Sequence, residues 1–256
     1  MEIRRIRPDE SDQFLNLLCS VFGLDQSRAQ GIFYNEPMYD LQRKWAMFCG
    51  NEMISILTTV PLEFGWGRAI GIAGVATNPS HQRKGYASRL LERVLVDAEQ
   101  EGEPAALLFA RAVELYEAIG FTKLDDVIRG QIGGCRDDGM GSVLEFDQVR
   151  PLYEQWALAH PARLRRDEQR WKYWRWTLRF CTRLDDGYAC LEGNIMRECV
   201  TDRPCSAWPI GRGAEWFGTT HMAERLGLQL DKRAFDLHFM GYKIPTMPQM
   251  FMTDQF

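Results

Sequence analysis

The sequence predicts a mixed α/β fold in which amphipathic helices cover a sheet with antiparallel edges. Two strand-like segments, Lys44–Cys49 and Glu52–Val60, are separated only by Gly50-Asn51, a short turn typical of an antiparallel hairpin. The mostly apolar run Ile70–Thr77 follows, and its composition predicts a central, buried strand. The order of strands and helices is not the strict alternation of a doubly wound sheet.

The chain begins with a short predicted strand and a predicted helix. Ile3–Ile6 forms the strand, which Arg7-Pro8 closes. N-cap residues then precede an apolar pattern that predicts a helix up to Phe22, and Gly23 ends it. Residues 24–43 are expected to be helical or irregular, with a break at Pro37.

A polar loop and a second amphipathic helix follow the central strand. The helix is predicted over about Ala87–Glu101 and ends before Gly102. Its apolar face consists of Leu90, Leu91, Val94, Leu95 and Ala98. The apolar segment Ala105–Ala110 predicts another buried strand. A short helix is predicted at Glu114–Ile119, and a further strand is predicted to begin near Phe121.

The clearest change in composition is a glycine- and aspartate-rich stretch near the middle of the chain. Since 256 residues correspond to one large or two small domains, we place a linker there, at residues 133–142. The predicted domains are then residues 1–132 and 143–256, the second with a helix from Asp147 onward.

Charge and composition argue against several classes of protein. The formal net charge of −4 disfavours a dedicated nucleic-acid-binding protein, and no apolar run is long enough to span a membrane. The N-terminus lacks the apolar core of a signal peptide. Seven scattered cysteines indicate reduced thiols and a cytoplasmic protein. No metal site is expected, because the spacing of Cys199, Cys205 and His221 fits no common ligand pattern.

The loop Gln82–Ala87 has the properties of a polyphosphate-binding site. Gly85 permits close approach of the backbone, Arg83 and Lys84 supply positive charge, and a helix begins directly afterwards. An ordinary solvated turn between a strand and a helix would account for the same residues. Neither GxxxxGK[ST] nor a GxGxxG that opens a helix is present, so no P-loop or Rossmann site competes.

Three short motifs in order resemble the Gcn5-related N-acetyltransferase (GNAT) superfamily. They are Val75-Ala76-Thr77-Asn78-Pro79, then Gln82-x-x-Gly85-x-Ala87, then Leu115-Tyr116-x-x-x-Gly120-Phe121. The likeness covers residues 1–130 and implies a GNAT fold. A second likeness follows, to the Eis-like (enhanced intracellular survival) acetyltransferases, in Arg150-Pro151-Leu152-Tyr153, His160-Pro161, Leu164-x-Arg166 and Trp171. Those proteins have tandem GNAT-like domains and a C-terminal sterol-carrier-like domain. The resemblance therefore implies a degenerate GNAT-like second domain here, and we expect the third domain to be absent or reduced.

The GNAT resemblance implies acetyl-CoA as co-substrate and acetylation of a primary amine on a small molecule or peptide in a ternary complex. The implied cofactor-binding residues are Val75, Ala76, Thr77, Gln82, Arg83, Lys84, Gly85, Tyr86, Ala87 and Ser88. Tyr116 matches the tyrosine that protonates the departing thiolate, a role that suits a phenol. The alternative function is a non-catalytic acyl-CoA-binding or regulatory module.

The general base stays open at this stage. The strand Gly71–Thr77 carries no carboxylate, and Glu63, His81 and Glu114 are the nearest candidates in sequence. Deprotonation through water and direct binding of the neutral amine stay open as well. In Eis-like enzymes the terminal carboxylate can enter the active site, so the weaker resemblance also implies the carboxylate of Phe256 as a candidate. The acceptor amine and the formation of a homo-oligomer are open as well.

Residues 163–183 contain eight basic side chains interleaved with three tryptophans. Nucleic-acid binding would use such a pattern, but the net charge favours a helix that packs Trp171, Trp174 and Leu178 on the core and leaves the arginines in solvent. We expect no nucleic-acid partner and no membrane.

Overall fold

The computed structural model describes residues 1–135, 141–205 and 207–256. The strands of the N-terminal half are β1 (Glu2–Arg5), β2 (Lys44–Cys49), β3 (Glu52–Phe64), β4 (Gly67–Thr77), β5 (Ala105–Ala110) and β6 (Thr122–Ile132). Its helices are α1 (Ser11–Phe22), α2 (Gln26–Asn35), α3 (Tyr86–Gln100) and α4 (Glu114–Glu117).

The C-terminal half contributes helices α5 (Phe146–Leu158), α6 (Glu168–Trp176) and α7 (Thr220–Arg225). Its strands are β7 (Leu164–Arg165), β8 (Phe180–Arg183), β9 (Tyr188–Glu192), β10 (Ile195–Val200), β11 (Glu215–Thr219) and β12 (Leu230–Tyr242). Helix α5 confirms the helix predicted from Asp147 onward, and it begins one residue earlier, at Phe146.

All of these strands belong to one mixed sheet, which confirms the predicted fold class. The order is β1-β2-β3-β4-β5-β12-β6-β11-β10-β9-β8, and the short β7 pairs with β3. Strand β12, near the C-terminus, lies between β5 and β6 and is antiparallel to both. Strands from both predicted domains therefore share the sheet. The linker predicted at 133–142 includes residues 136–140, which lie outside the described residues, and the domain boundary stays a prediction.

Helices cover both faces of the N-terminal part of the sheet. The α3 side chains predicted to be buried, Leu90, Leu91, Val94, Leu95 and Ala98, pack against β2–β5 on one face. The α1 helix packs on the other face through Phe14 and Leu15, beside Ala76 of β4. The strand β4 therefore lies between these two helical layers.

The basic stretch departs in part from the sequence expectation. Trp171 and Trp174 are buried as predicted, but Leu178 is 94% exposed because α6 already ends at Trp176. The expectation that the arginines lie in solvent is wrong for Arg163, Arg166 and Arg170, which are buried. Carboxylates and carbonyl oxygens that are distant in sequence satisfy their guanidinium groups.

A buried ionic cluster connects the two ends of the C-terminal half. The fully buried guanidinium of Arg166 donates to Glu198 (2.6 Å) and to Asp254 (2.7 Å). Tyr188, Thr253 and Trp174 donate further hydrogen bonds to Glu198. Because the charges are fully desolvated, the cluster is stable only while every member is paired. It fixes the segment 252–256 beside β4.

Candidate active site

Strands β4 and β5 separate at the centre of the sheet. They pair in parallel only from Ala69 opposite Ala105 to Ile72 opposite Leu108, although both strands continue beyond that point. The β5-facing edge of residues 73–77 therefore has no strand partner among the described residues. Unpaired backbone N–H and C=O groups at such an edge need a hydrogen-bonding partner. The predicted residues Val75, Ala76 and Thr77 lie along this opening.

A β-bulge produces the separation. In the antiparallel pairing of β3 with β4, Thr58 lies opposite Ala73 and Ile56 opposite Ala76, so one residue of β3 faces two of β4. Gly74, in the bulge, has φ +60°, a left-handed conformation that favours glycine. A side chain there would also come within 3.1 Å of Leu18. The glycine thus permits both the bend and the close approach of α1.

The loop Gln82–Gly85 connects this opening to the N-terminus of α3. Its residues are exposed, and the side chains of Gln82 and Lys84 fold back onto the carbonyl oxygens of Thr77 (3.2 Å) and Ser80 (3.0 Å). Arg83 and Gly85 both adopt positive φ, +59° and +75°. Lys84 between them does not, and alternation of right- and left-handed conformations can turn successive N–H groups toward a common point.

No side chain caps α3 within the described part of the chain. The N–H groups of Tyr86, Ala87 and Ser88 therefore have no partner inside the helix and point outward, at the positive end of the helix dipole. With the loop before it, this helix start can bind an anion. The structure brings all the predicted loop residues together at one end of the opening.

Tyr116 lies on the same side of the sheet as the loop. It sits on α4, packs edge-on against Phe121 with ring centroids 6.0 Å apart, and borders the same apolar cluster as Val75 and Tyr86. Burial raises the pKa of the Tyr116 phenol above its usual value of 10.0. Its hydroxyl group is thus protonated throughout the neutral range, as a proton donor requires.

On the opposite face, beside the bulge, lies a cavity of about 240 Å³. Ala73 and Gly74 form part of its wall, and α1, α2 with the residues that follow it, β2, β3, α6 and the C-terminal residues form the rest. Its ionisable side chains are Glu36, Lys44, Arg170 and Tyr173. The opening in the sheet therefore lies between the loop Gln82–Gly85 on one face and a partly open cavity on the other.

Two oppositely charged groups of the cavity are held in partly apolar surroundings. Burial raises the pKa of the Glu36 carboxyl group, and the nearby Lys44 opposes that shift. Burial lowers the pKa of the Lys44 ammonium, which lies 4.6 Å from the ring centroid of Phe33 and 5.1 Å from that of Tyr39. A carboxylate whose pKa is raised toward neutrality is a better proton acceptor than an exposed one.

The C-terminal segment closes the far wall of the cavity. Arg170 donates to the carbonyl oxygens of Pro61 (2.6 Å) and Asp254 (3.5 Å), and the Tyr173 hydroxyl donates to that of Gln255 (3.2 Å). The ring of Phe256 lies 5.5 Å from that of Phe109, centroid to centroid. Helix α6 thus holds the segment in place, and Phe256 shapes the cavity.

The base candidates named from the sequence lie elsewhere. Glu63 lines a separate crevice beside Arg165, His81 hydrogen-bonds with Glu52 (3.2 Å), and Glu114 is exposed on α4. Sequence reasoning missed Glu36, the residue that follows α2, because its environment depends on packing between α2, β2 and α6. No local motif marks it.

The N-terminal half of the chain is similar in sequence to known acetyltransferases. Residues 2–124 match the acetyltransferase (GNAT) domain. An uncharacterised N-acetyltransferase of Streptomyces griseus is 26% identical over 137 residues, which are 47% of this chain and 30% of that protein. The chain thus spans less than a third of that curated relative. Residues 2–124 thus resemble the GNAT superfamily in sequence.

Solved structures extend the likeness over nearly the whole chain. A GCN5-related N-acetyltransferase from Kribbella flavida superposes with a TM-score of 0.72 at 18% identity, covering 94% of this chain and 70% of its own. Eis1 from Mycobacterium abscessus superposes with a TM-score of 0.64 at 15% identity, covering 93% of this chain and 73% of its own. At these identities the likeness shows the fold, and it confirms both the GNAT and the Eis-like resemblance.

No helix in the described ranges combines the length and the apolar character that crossing a bilayer needs.

Proposed function

We propose that the protein is an acetyl-CoA-dependent N-acetyltransferase that acetylates a primary amine in a ternary complex. One observation carries the proposal: the opening between β4 and β5 lies between the loop Gln82–Gly85 on one face and the cavity bordered by Ala73 and Gly74 on the other. A cofactor and an acceptor that enter from opposite faces would meet at Gly74.

The cofactor would use backbone groups along its length. Its pyrophosphate would bind the N–H groups from Gln82 to Ser88, with Arg83 and Lys84 adding charge. Its pantetheine amides would pair with the free edge at Val75 and Thr77, as an added strand does. The thioester carbonyl would then lie at the bulge, where N–H groups near Val75 and Ala76 stabilise the oxyanion.

The transfer conserves all atoms and electrons. The amine nitrogen attacks the thioester carbon, a C–N bond forms, and the C–S bond breaks as the tetrahedral intermediate collapses. The CoA sulfur leaves with its electron pair and receives a proton from Tyr116. We assign Glu36 as the acceptor of the proton that the amine loses, because it is the carboxylate side chain among the residues that line the cavity.

Calorimetric titration tests the cofactor site first. Micromolar 1:1 binding of acetyl-CoA, with no comparable binding of ATP, supports the proposal. Absence of binding to folded protein would contradict it. Release of free thiol with a panel of primary amines then tests transfer.

The alternative is a module that binds acyl-CoA without turning it over. One observation favours it: β4 carries no carboxylate. Tight binding of acetyl-CoA with no thiol release for any amine, in wild type and Tyr116→Phe alike, would establish this alternative.

A further inference from the structure

An apolar groove between α1 and α2 adjoins the cavity. The groove has a volume of about 450 Å³ and is lined by Leu15, Leu24, Ala29 and Ile32, among others. Leu18, Phe33 and Glu36 line both the groove and the cavity. A molecule that extends from the cavity into the groove must therefore pass these three side chains.

The groove and the cavity differ in polarity. The ionisable residues of the groove other than Glu36 are Asp25 and Arg28, and the Asp25 carboxylate already accepts the N–H of Arg28 as the cap of α2. Leu24 and Ile32 are 48% and 45% exposed. Exposed apolar side chains that rim a groove next to a polar site are typical of a ligand-binding surface.

From the shared wall and the difference in polarity, we propose that the acceptor is a primary amine carried on an apolar chain or ring, with the nitrogen in the cavity and the apolar part between α1 and α2. The inference rests on the proposed acetyl transfer and names its substrate class. The cavity alone fits a small amine, whereas cavity and groove together have the volume of a typical small-molecule site.

A ligand series tests the proposal through thiol release. The value of kcat/KM should rise from ethylamine through butylamine to hexylamine, by about two- to fourfold per methylene, as expected for burial of apolar surface. The matched ligand is 1,6-diaminohexane, which has the length of hexylamine but would place a second ammonium in the groove. We expect its kcat/KM to be at least tenfold below that of hexylamine. Equal values for the two amines would overturn the proposal while leaving acetyl transfer intact.

Two substitutions test whether the groove causes the preference for the longer amine. Ile32→Glu introduces a charge into the groove wall and should abolish the preference for hexylamine over ethylamine. Val96→Glu is the control, since Val96 is a similarly exposed apolar residue (52%) on the distant helix α3. A preference that survives Ile32→Glu would place the apolar part of the amine elsewhere and refute the groove.

Two further measurements separate failure of the groove from failure of the proposed function. If no amine is acetylated, calorimetry with hexylamine decides: binding that Ile32→Glu removes and Val96→Glu keeps supports the groove, and no binding overturns it. Sedimentation of the wild-type protein tests whether a second copy of the chain occupies the groove. A dimer that Ile32→Glu alone dissociates would show that a second copy covers the groove, and would also overturn the proposal.

Discussion

The ring of Phe256 lies directly against the backbone of Gly71 on β4: a Cβ atom there would come within 2.7 Å of three ring carbons. Gly71→Ala should therefore force the ring away from β4 and destabilise the protein by about 1–3 kcal/mol, the usual cost of overpacking. Chemical denaturation measures this loss.

A second substitution tests the cause. Phe256→Ala should remove most of the penalty, so that the double variant is more stable than the sum of the single effects implies. Gly31→Ala is the control, because that position is open space on α2, and it should stabilise by about 0.5–1 kcal/mol. Strict additivity of the effects of Gly71→Ala and Phe256→Ala would contradict the contact between these two residues.

Gly85→Ala tests the anion-binding loop. A side chain disfavours φ +75°, so the loop should shift and lose about one charge-assisted hydrogen bond to the cofactor. We expect about a tenfold higher Kd for acetyl-CoA by calorimetry. Gly193→Ala, at φ +62° in the distant β9–β10 turn, carries the same strain and should leave the Kd unchanged. Equal effects of the two variants would indicate general destabilisation.

Tyr116→Phe tests the proton donor. Loss of the phenol should lower kcat about a hundredfold with little change in KM, because the hydroxyl acts only as the thiolate departs. Burial raises the pKa of Tyr116, so ionisation of this group should cause no loss of wild-type activity between pH 7 and about 9. An unchanged kcat in the variant would remove Tyr116 from the mechanism.

Glu36→Gln tests the proton acceptor. The carboxylate is active only when ionised, and burial raises its pKa above 4.5, so wild-type kcat should fall as the pH decreases through that raised value. The glutamine variant should lose this limb of the pH profile and keep the dependence that ionisation of the free amine imposes. A profile that Glu36→Gln leaves superimposable on wild type would exclude the role.

Arg166→Leu tests the buried ionic cluster. It leaves Glu198 without a cationic partner and Asp254 with only the longer pair to Arg170 (3.8 Å), and should cost about 3–5 kcal/mol at pH 7. Arg183→Leu, on an exposed position of β8, should change stability by less than about 0.5 kcal/mol.

The loss of stability caused by Arg166→Leu should also depend on pH. Arg166 lowers the pKa of Glu198 in the folded protein, so the contribution of this carboxylate is complete above its unfolded pKa and is lost as the pH falls through the lowered value. In the variant this carboxylate, without its cationic partner, gains a proton more readily. The difference between wild type and variant should therefore shrink as the pH falls toward 4, and a constant difference would argue against an electrostatic cause.

Local patterns predicted much of the N-terminal half. The bounds of β2 and β5 are those expected from the sequence, because continuous apolar runs define buried strands. The buried face of α3 and the exposed loop before it also follow from spacing alone. These features depend on neighbours within a few residues.

Features that depend on distant pairing could not be predicted. Arg166 has the sequence context of a surface arginine, and its partners Glu198 and Asp254 lie 32 and 88 residues away. The position of β12 between β5 and β6 likewise has no local signal. Glu36 enters the site only because α2 packs over the bulge of β4.

The interposed position of β12 also sets an order of events during biosynthesis. Strands β5 and β6 are translated about a hundred residues before the strand that pairs with both of them. Until then the nascent chain exposes two open strand edges, which are sites for intermolecular association. A ribosome-bound chain halted after β6 should therefore recruit chaperones, whereas one extended well past Tyr242 should be released from them.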